Sequence, residues 1–230
     1  MPIYRKVDKN FFKKWTAEMA YVLGFFAADG YMTVNKRGGH FWNIQITDEK
    51  LLNSIKKCIG SDHKISKRTM KGNEKPLYRL QVGSKEMFND LYALGMRQDK
   101  TKSLAIPDFG KEHLGDFVRG YFDGDGNVWV GYVHKKRNTK TLVIQTTFTS
   151  CSLVFLTKLK DILNRNEVDN GYLVKGKRNY FRLVFSVRGS LKLYNLMYNR
   201  MVDGGKLFLL RKKKVFDKFI KYRLDNAVVV

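Results

Sequence analysis

The chain of 230 residues carries 44 Lys and Arg against 21 Asp and Glu, a formal net charge of +23 at neutral pH. Its hydrophobic content of 43% and aromatic content of 13% belong to a folded globular protein and exclude a disordered one. Because such an excess of like charge destabilises a compact protein, a polyanionic partner is the usual reason for it. The basic residues are spread along the whole chain, which indicates a broad surface for nucleic acid.

The sequence predicts no membrane segment. Its longest apolar run, from Ala20 to Ala28, is less than half of the ~20 residues that a membrane-spanning helix needs. The first residues lack the apolar segment of a secretory signal, so we expect an intracellular protein, in a bacterial cytoplasm or in a mitochondrion or chloroplast. Cys58 and Cys151 are far apart, without Cys or His neighbours, and are expected to be reduced structural thiols.

The first hundred residues predict the order helix, hairpin, helix, hairpin, helix. A helix begins at about Thr16 and includes the run "VLGFFAADG", and a hairpin follows in which "YMTVN" and "FWNIQIT" flank the turn "KRGGH". "EKLLNSIKKCIG" is an amphipathic helix that ends at Gly60. A second hairpin pairs "HKISKR" with "LYRLQVG", and "KEMFNDLYALG" is a helix that ends at Gly95.

Alternation within the predicted strands gives each sheet an apolar face and a polar face. Trp42, Ile44 and Ile46 are expected in the core, with Asn43, Gln45 and Thr47 on the opposite face. A polar face can simply be the solvated side of an antiparallel sheet. The net charge and the presence of Arg and Gln, which read base edges, favour a DNA-binding face. The residues expected to contact DNA are Thr33, Asn35, Asn43, Gln45, Arg68, Arg79, Gln81, Gln145, Thr147 and Arg182.

The sequence contains an internal repeat. Gly24 matches Gly120 and Asp29 matches Asp125 at an offset of 96, "NIQIT" matches "VIQTT" at 100, and "YRLQVGS" matches "FRLVFSV" at 103. Pro107 and the glycine at 110 interrupt the pattern between the copies. We therefore predict an N-terminal half at 1–106, a linker at 107–114 and a C-terminal half at 115–230.

The second half is predicted to repeat the elements of the first. Its predicted strands are 127–134, 141–149, 171–175 and 180–186, and its later helices are 153–164 and 190–201. The predicted fold class is α+β, with two pseudo-symmetric αββαββα halves. Each half has a four-stranded antiparallel sheet, and the two sheets are expected to form a DNA-binding saddle.

Small residues in the two matched helices predict a close helix contact. Gly24 and Ala28 are four residues apart, as are Gly120 and Gly124, so each pair lies on one helix face. Plain core packing explains one such helix, but not its repetition at matching places. Packing of the two helices would bring the carboxylates at 29 and 125 together near a pseudo-two-fold axis. Such a pair needs a shared proton or a cation, for which Mg²⁺ is suited.

The stretch "DGDGN" also resembles the start of a calcium-binding EF-hand loop. Asp123, Asp125 and Asn127 fit the first three ligand positions. Val128 stands where that loop requires Gly, and His134 stands where it requires Glu. The pattern therefore excludes an EF-hand.

The two helix segments resemble a known motif. "VLGFFAADG" and "VRGYFDGDG" are similar to two copies of the LAGLIDADG motif, and the repeat from Thr16 to about Phe219 resembles a single-chain LAGLIDADG homing endonuclease. The second copy is close to the consensus. The first copy has Ala27 where the motif usually has an acid, which the second copy retains as Asp123. In such enzymes that earlier position varies and the final acid carries the chemistry.

The resemblance implies specific metal ligands. Asp29 and Asp125 would be the catalytic, metal-binding acids, and the main-chain carbonyls of Ala28 and Gly124 would complete the coordination. The implied cofactor is Mg²⁺, for which Mn²⁺ or Ca²⁺ can substitute in binding.

The resemblance also implies residues beside the metal site. Asp48 stands where relatives place a residue that orients water, and Ser150 is its weaker counterpart. Lys102, with Lys100 as the alternative, and Lys206 would be the basic residues near the cleaved phosphates. Each lysine could instead clamp a phosphate elsewhere or be solvated.

The implied function is a site-specific double-strand DNA endonuclease of a mobile intron or intein. It would hydrolyse phosphodiester bonds with Mg²⁺, leave short 3′ overhangs and act as a monomer on duplex DNA without a protein partner. An RNA maturase on the same scaffold is one alternative. A cleavage-inactive DNA-binding regulator is another, although it usually loses one of the two acids. An intein segment is a third, but no splicing blocks flank the chain.

Overall fold

The computed structural model describes residues 5–69, 72, 74–98, 104–133, 140–199 and 207–227. These residues form seven α-helices and two four-stranded antiparallel sheets. By their contacts they divide into two compact units. The first unit extends to Gly124 and also includes Leu207, and the second begins at Asp125 and resumes at Phe208.

The first unit has the predicted order of helices and hairpins. Its elements are α1 (Ala17–Asp29), β1 (Gly30–Val34), β2 (His40–Ile46), α2 (Glu49–Cys58), β3 (Ile65–Arg68), β4 (Leu77–Gly83) and α3 (Lys85–Ala93). The predicted start of α1 is confirmed, because the Thr16 side chain accepts a hydrogen bond from the Met19 amide at 3.1 Å. Gly60 and Gly95 follow α2 and α3 with φ angles of +58° and +89°, as glycines at helix ends often do.

The sheet of the first unit has the strand order β1-β2-β4-β3. Trp42 and Ile44 are fully buried and Ile46 is 7% exposed, which confirms their predicted core positions. Asn43 lies on the other face, opposite Tyr31 and Gln81 in the neighbouring strands. The register therefore gives this sheet the predicted apolar and polar faces.

The second unit repeats this topology with the order β5-β6-β8-β7. A 3₁₀ turn at Lys111–His113 and helix α4 (Leu114–Asp125) precede it in the chain. Its elements are β5 (Gly126–Val133), β6 (Thr141–Ser150), α5 (Leu153–Arg165), β7 (Tyr172–Lys175), β8 (Phe181–Phe185), α6 (Val187–Tyr194) and α7 (Leu210–Ala227). The predicted α+β class with two repeated halves is confirmed.

The end of the chain differs from the sequence prediction. Helix α6 begins at Val187, three residues before the predicted 190, and passes after Tyr194 into a π-helical stretch, Asn195–Asn199. The 18-residue helix α7 was not predicted. Its core contacts come from Phe216 and Phe219, which are buried, while most of its other residues are charged.

Helix α4 belongs with the first unit although the repeat assigns it to the second half. The contacts divide the chain after Gly124, whereas the domain boundaries predicted from the repeat lie at 106 and 115. Those boundaries describe the duplication of the sequence and stay a prediction. Within the described part of the chain, no helix combines the length and the apolar character needed to cross a membrane.

Candidate active site

The helices α1 and α4 are in backbone contact through their glycines. A Cβ at Gly24 would lie 2.9 Å from the carbonyl carbon of Phe117 and 3.0 Å from the amide nitrogen of Tyr121. A Cβ at Gly120 would lie 2.8 Å from the amide nitrogen of Phe25. Two of these distances are under 3.0 Å, which real Cβ atoms essentially never show, and the third is at that limit, so any larger residue would force the helices apart. The predicted close approach is confirmed.

Each of these helices ends on an acid. Asp29 is the last residue of α1 and is half-buried, and Asp125 is the last residue of α4 and is exposed. Neither helix has a basic residue in its last turn. The carbonyl groups at a helix C-terminus are already negative, so a carboxylate there is unfavourable without a cation. A cation bound at these two acids therefore stays a prediction.

The predicted ligands at these ends are all hard oxygen donors. The carbonyl of Ala28 precedes Asp29, and the carbonyl of Gly124 precedes Asp125. Gly124 lies against Asp29, since a Cβ at Gly124 would be 3.2 Å from the Asp29 Oδ2 atom. Asp29 belongs to the first unit and Asp125 opens the second, so the pairing of their carboxylates stays a prediction.

The donor set fits Mg²⁺ better than a softer metal. No three His, Cys, Asp or Glu side chains in the described ranges cluster as a metal-binding group. Mg²⁺ keeps several water ligands and is bound by one or two carboxylates together with substrate phosphates. Two acids with adjacent carbonyls match this preference and do not match the Cys and His sets of zinc sites.

A buried cluster of charged side chains supports the start of α4. Arg119 is 1% exposed, and its Nε donates to the carbonyl of Leu207 at 3.0 Å, while its Nη2 contacts Asp116 Oδ1 at 2.6 Å. Burial raises the pKa of Asp116, and the Arg119 guanidinium opposes part of that shift. The pairing with Asp116 compensates the burial of the Arg119 charge. The bond from Arg119 to the Leu207 carbonyl links that residue to α4.

The two candidates for water orientation occupy helix-capping sequences. Asp48 is the N-cap of α2, and its Oδ1 accepts from the Leu51 amide at 2.9 Å. The Ser150 Oγ accepts from the Ser152 amide at 3.1 Å, just before α5. These bonds explain both side chains structurally, so their role towards water stays a prediction.

The predicted basic residues Lys102 and Lys206, and the alternative Lys100, lie outside the described residues. A buried lysine that was not predicted is Lys212, which is 6% exposed. Its Nζ donates to the carbonyl of Gly126, the residue after the second acid, at 2.6 Å. Its spacing from Phe216 and Phe219 on the buried face of α7 could have indicated an inward-facing lysine.

The polar face of the first sheet brings together the predicted DNA-contacting residues. Strand alternation and register place on this face Thr33, Asn43, Gln45, Arg68, Arg79 and Gln81. Asn43 is 1% exposed, and within the described chain neither its Nδ2 nor its Oδ1 forms a hydrogen bond. A buried amide without partners costs about 1–3 kcal/mol, and this burial leaves a contact of Asn43 with DNA as a prediction. Asn35 lies in the β1–β2 turn instead, where its Oδ1 accepts from the Gly39 amide at 2.8 Å.

The polar face of the second sheet carries both polar and aromatic side chains. Register places Gln145, Thr147 and Arg182 on this face, as predicted. The same face includes Trp129 and Tyr172, which are 46% and 48% exposed. Neither aromatic was predicted to contact DNA, although Trp129 alternates with inward residues of its strand in the same way as Gln145 and Thr147 do in theirs. Exposed aromatic residues beside donors suit a surface that contacts bases.

A cavity of about 700 Å³ lies at the end of the first sheet. Gln81 of the polar face lines it together with cationic and titratable side chains, including Arg5, Lys9, His63 and Lys85. Burial lowers the pKa of His63, with Asp62 opposing that shift. The cavity extends the basic surface of the first unit beyond its strands.

Comparison with known proteins identifies the fold. Residues 16–93 match the LAGLIDADG-like domain family. The structure of the I-LtrWI LAGLIDADG homing endonuclease bound to target DNA is similar to this chain at a TM-score of 0.60 with 14% identity, and the similarity covers 92% of this chain and 91% of that one. This chain has the LAGLIDADG fold. The resemblance drawn from its two motifs is confirmed.

Other LAGLIDADG structures show the same similarity. The homing endonuclease I-WcaI, bound to its DNA recognition sequence, has a TM-score of 0.57 with 16% identity over 90% of both chains. I-SmaMI, bound to uncleaved DNA with calcium ions, has a TM-score of 0.57 with 14% identity over 84% of this chain and 87% of that one. At these identities the likeness establishes the LAGLIDADG fold and leaves activity to separate evidence.

Two curated proteins are similar to this chain in sequence. They are replication factor C small subunits of Methanocaldococcus jannaschii, 24% identical over 182 residues, and of Thermococcus kodakarensis, 22% identical over 169 residues. The matches cover 78% and 74% of this chain, which spans only 9% and 19% of those proteins. The chain therefore corresponds to a small segment of each relative.

Proposed function

We propose that the protein is a site-specific DNA endonuclease that cuts both strands of its target with Mg²⁺ and leaves short 3′ overhangs. It would act as the homing endonuclease of a mobile intron or intein. The observation that carries the proposal is the placement of an acid at the end of each of two packed helices, each without a basic residue in the last turn. In a protein that only bound DNA, lysines at those helix ends would stabilise the helices and raise the affinity for phosphates.

The surrounding surface supports a duplex DNA substrate. Two sheets each present a face with Arg, Gln and Thr side chains, and the chain carries a net charge of +23. Arg and Gln form paired hydrogen bonds with base edges, and the remaining cations neutralise phosphates. The homing endonucleases I-LtrWI and I-WcaI, which share the fold, are bound to their DNA targets.

Mg²⁺ would be held by the carboxylates of Asp29 and Asp125 and by the carbonyls of Ala28 and Gly124. When bound, it supplies an activated water and neutralises charge on the phosphate in the transition state. The chain would contribute by placing an acid and the preceding carbonyl at the end of each helix. I-SmaMI was captured with uncleaved DNA and calcium ions, which supports a divalent-ion site in this fold.

The protein is proposed to be a monomer. Its sequence supplies both copies of the motif, and each copy ends a helix in the same chain. A second chain is therefore not needed to provide the second acid. Light scattering at low micromolar concentration should give the mass of one chain, 26.8 kDa. A stable dimer at that concentration would contradict this part of the proposal.

The decisive experiment is cleavage of a plasmid library that contains randomised target segments and candidate insertion sites. Incubation with Mg²⁺ should yield linear plasmid with short 3′ overhangs at one recurrent site, and EDTA should abolish the product. Binding at a recurrent site without cutting, under conditions that support a known nuclease, would indicate a DNA-binding regulator. Failure to bind any duplex would overturn the proposal.

A further inference from the structure

A buried hydrogen bond links the two acid-bearing helices. The Tyr21 hydroxyl on α1 donates to Oδ2 of Asp123 on α4 at 2.7 Å, across 102 residues of sequence. Tyr21 is fully buried and Asp123 is 2% exposed. Asp123 lies two residues before Asp125, in the last turn of α4. The bond therefore attaches the end of α4 to the second turn of α1.

The repeat contains no second copy of this bond. The offset of 96 matches Tyr21 with Phe117 and matches Asp123 with Ala27. Phe117 is fully buried and Ala27 is 2% exposed, so the matching pair is buried as well. It has neither the hydroxyl nor the carboxylate. The duplicated helices thus keep a polar pair at one position and an apolar pair at the other.

We propose that Tyr21 is a positioning residue, whose bond to Asp123 fixes the last turn of α4 and with it Asp125. A buried carboxylate that loses its donor pays a desolvation cost, so any movement of that turn away from Tyr21 is opposed. In the matched turn of α1, Ala27 has no carboxylate that could accept the same bond. The consequence for cleavage rests on the proposed function, whereas the mechanical role of the bond does not.

The first test measures amide hydrogen exchange in the whole chain and needs no DNA. Tyr21→Phe removes only the hydroxyl. Exchange in residues 121–126 should accelerate by about tenfold or more, as expected for a lost hydrogen bond to a charged group, and exchange in 25–30 should change little. The matched control is Tyr194→Phe, which removes a hydroxyl that donates to Asp217 at 2.7 Å in the second unit. That variant should leave both segments unchanged.

A double variant separates the bond from a general loss of stability. Tyr21→Phe combined with Asp123→Ala recreates the Phe and Ala pair that the repeat has at 117 and 27. Because the buried carboxylate is removed together with the hydroxyl that donates to it, exchange in 121–126 should return to within about threefold of the original rate. With a plasmid that carries the recognised target, Tyr21→Phe alone should slow the cleavage of one strand more than that of the other. Nicked plasmid should then accumulate.

The positioning role would be overturned if hydrogen exchange in residues 121–126 is the same in Tyr21→Phe as in the unaltered protein. It would also be overturned if exchange in residues 25–30 accelerates as much as in 121–126, or if the double variant does not recover the slower exchange. Equal slowing of both strands would also count against it. If the unaltered protein cuts no DNA, the proposed function fails, but the exchange experiment still decides whether the bond holds the end of α4.

Discussion

The contact between α1 and α4 makes a sharp prediction for Gly24→Ala. The added methyl group would lie 2.9 Å from the carbonyl carbon of Phe117 and 3.0 Å from the amide nitrogen of Tyr121. Ordinary van der Waals contacts of a Cβ begin at 3.4 Å, and the opposing atoms are backbone atoms that cannot rotate away. The carbonyl oxygen of Phe117 would lie closer still, so the two helices must separate locally.

The expected change in the free energy of unfolding is the sum of two opposing effects, overpacking and helix propensity. Overpacking of this kind destabilises a protein by about 1–3 kcal/mol, and backbone contact places Gly24 at the upper end of that range. The replacement of a helical glycine by alanine returns about 1 kcal/mol through helix propensity. A net loss of about 2 kcal/mol remains, which corresponds to a fall of about 4–8 °C in melting temperature for a chain of this size.

Thermal unfolding followed by circular dichroism measures this effect, and Gly83→Ala is its matched control. There the added carbon would meet the Phe41 ring at 3.1 Å, and that side chain can shift. The control should lose less than about half as much stability. If Gly24→Ala melts at or above the temperature of the unaltered protein, the helices are not in backbone contact and the reasoning is wrong.

Further outcomes follow from the same structure. Asp29→Asn and Asp125→Asn should each lower cleavage by orders of magnitude, while gel-shift affinity holds or rises slightly because a carboxylate near the phosphates is removed; normal cutting by either variant would refute the acid assignment. Arg79→Ala should weaken binding, or relax specificity at one base pair, by about 1–3 kcal/mol in competition gel shifts, and an unchanged site preference with unchanged affinity would exclude it from the interface. If about ten cations meet phosphates, the affinity should fall with salt at a log–log slope of roughly −9, and a flat dependence would contradict the broad surface. Burial, with a smaller effect of Glu18, raises the pKa of the Cys58 thiol to about 11, so mass spectrometry should show iodoacetamide labelling the exposed Cys151 first at pH 8 and reaching Cys58 only as the pH approaches 11.

Much of the fold could be predicted because the local patterns are strong. Strict alternation in β2 placed Trp42 and Ile44 in the core and Gln45 on the polar face. The repeat doubled that information, since each element of the first half supported one in the second. The small residues of the helices predicted their close contact before any coordinates, because only a face without side chains permits backbone contact.

Contacts between distant segments could not be predicted from such patterns. The bond between Tyr21 and Asp123 depends on how two helices cross, and the bond from Lys212 to Gly126 joins residues 86 apart. Helix α7 was missed for a related reason. Charged residues are interspersed among its apolar ones, and tertiary contact with β5 stabilises it more than its own pattern does. The burial of Asn43 likewise depends on its neighbours in both adjacent strands.

The packing of α4 with α1 also determines how the chain can be divided. A fragment cut at the repeat boundary, after residue 106, keeps α1 but loses α4. Nine consecutive residues of α1, Met19–Ala27, are buried in the intact protein, and this fragment would expose to water the face of that apolar helix that packs on α4. An isolated half would have to cover that helix with the same helix of a second copy. The repeated segment of the sequence is therefore smaller than the segment that folds. We expect folding to require two copies of the segment, either in one chain or in a dimer of two identical chains.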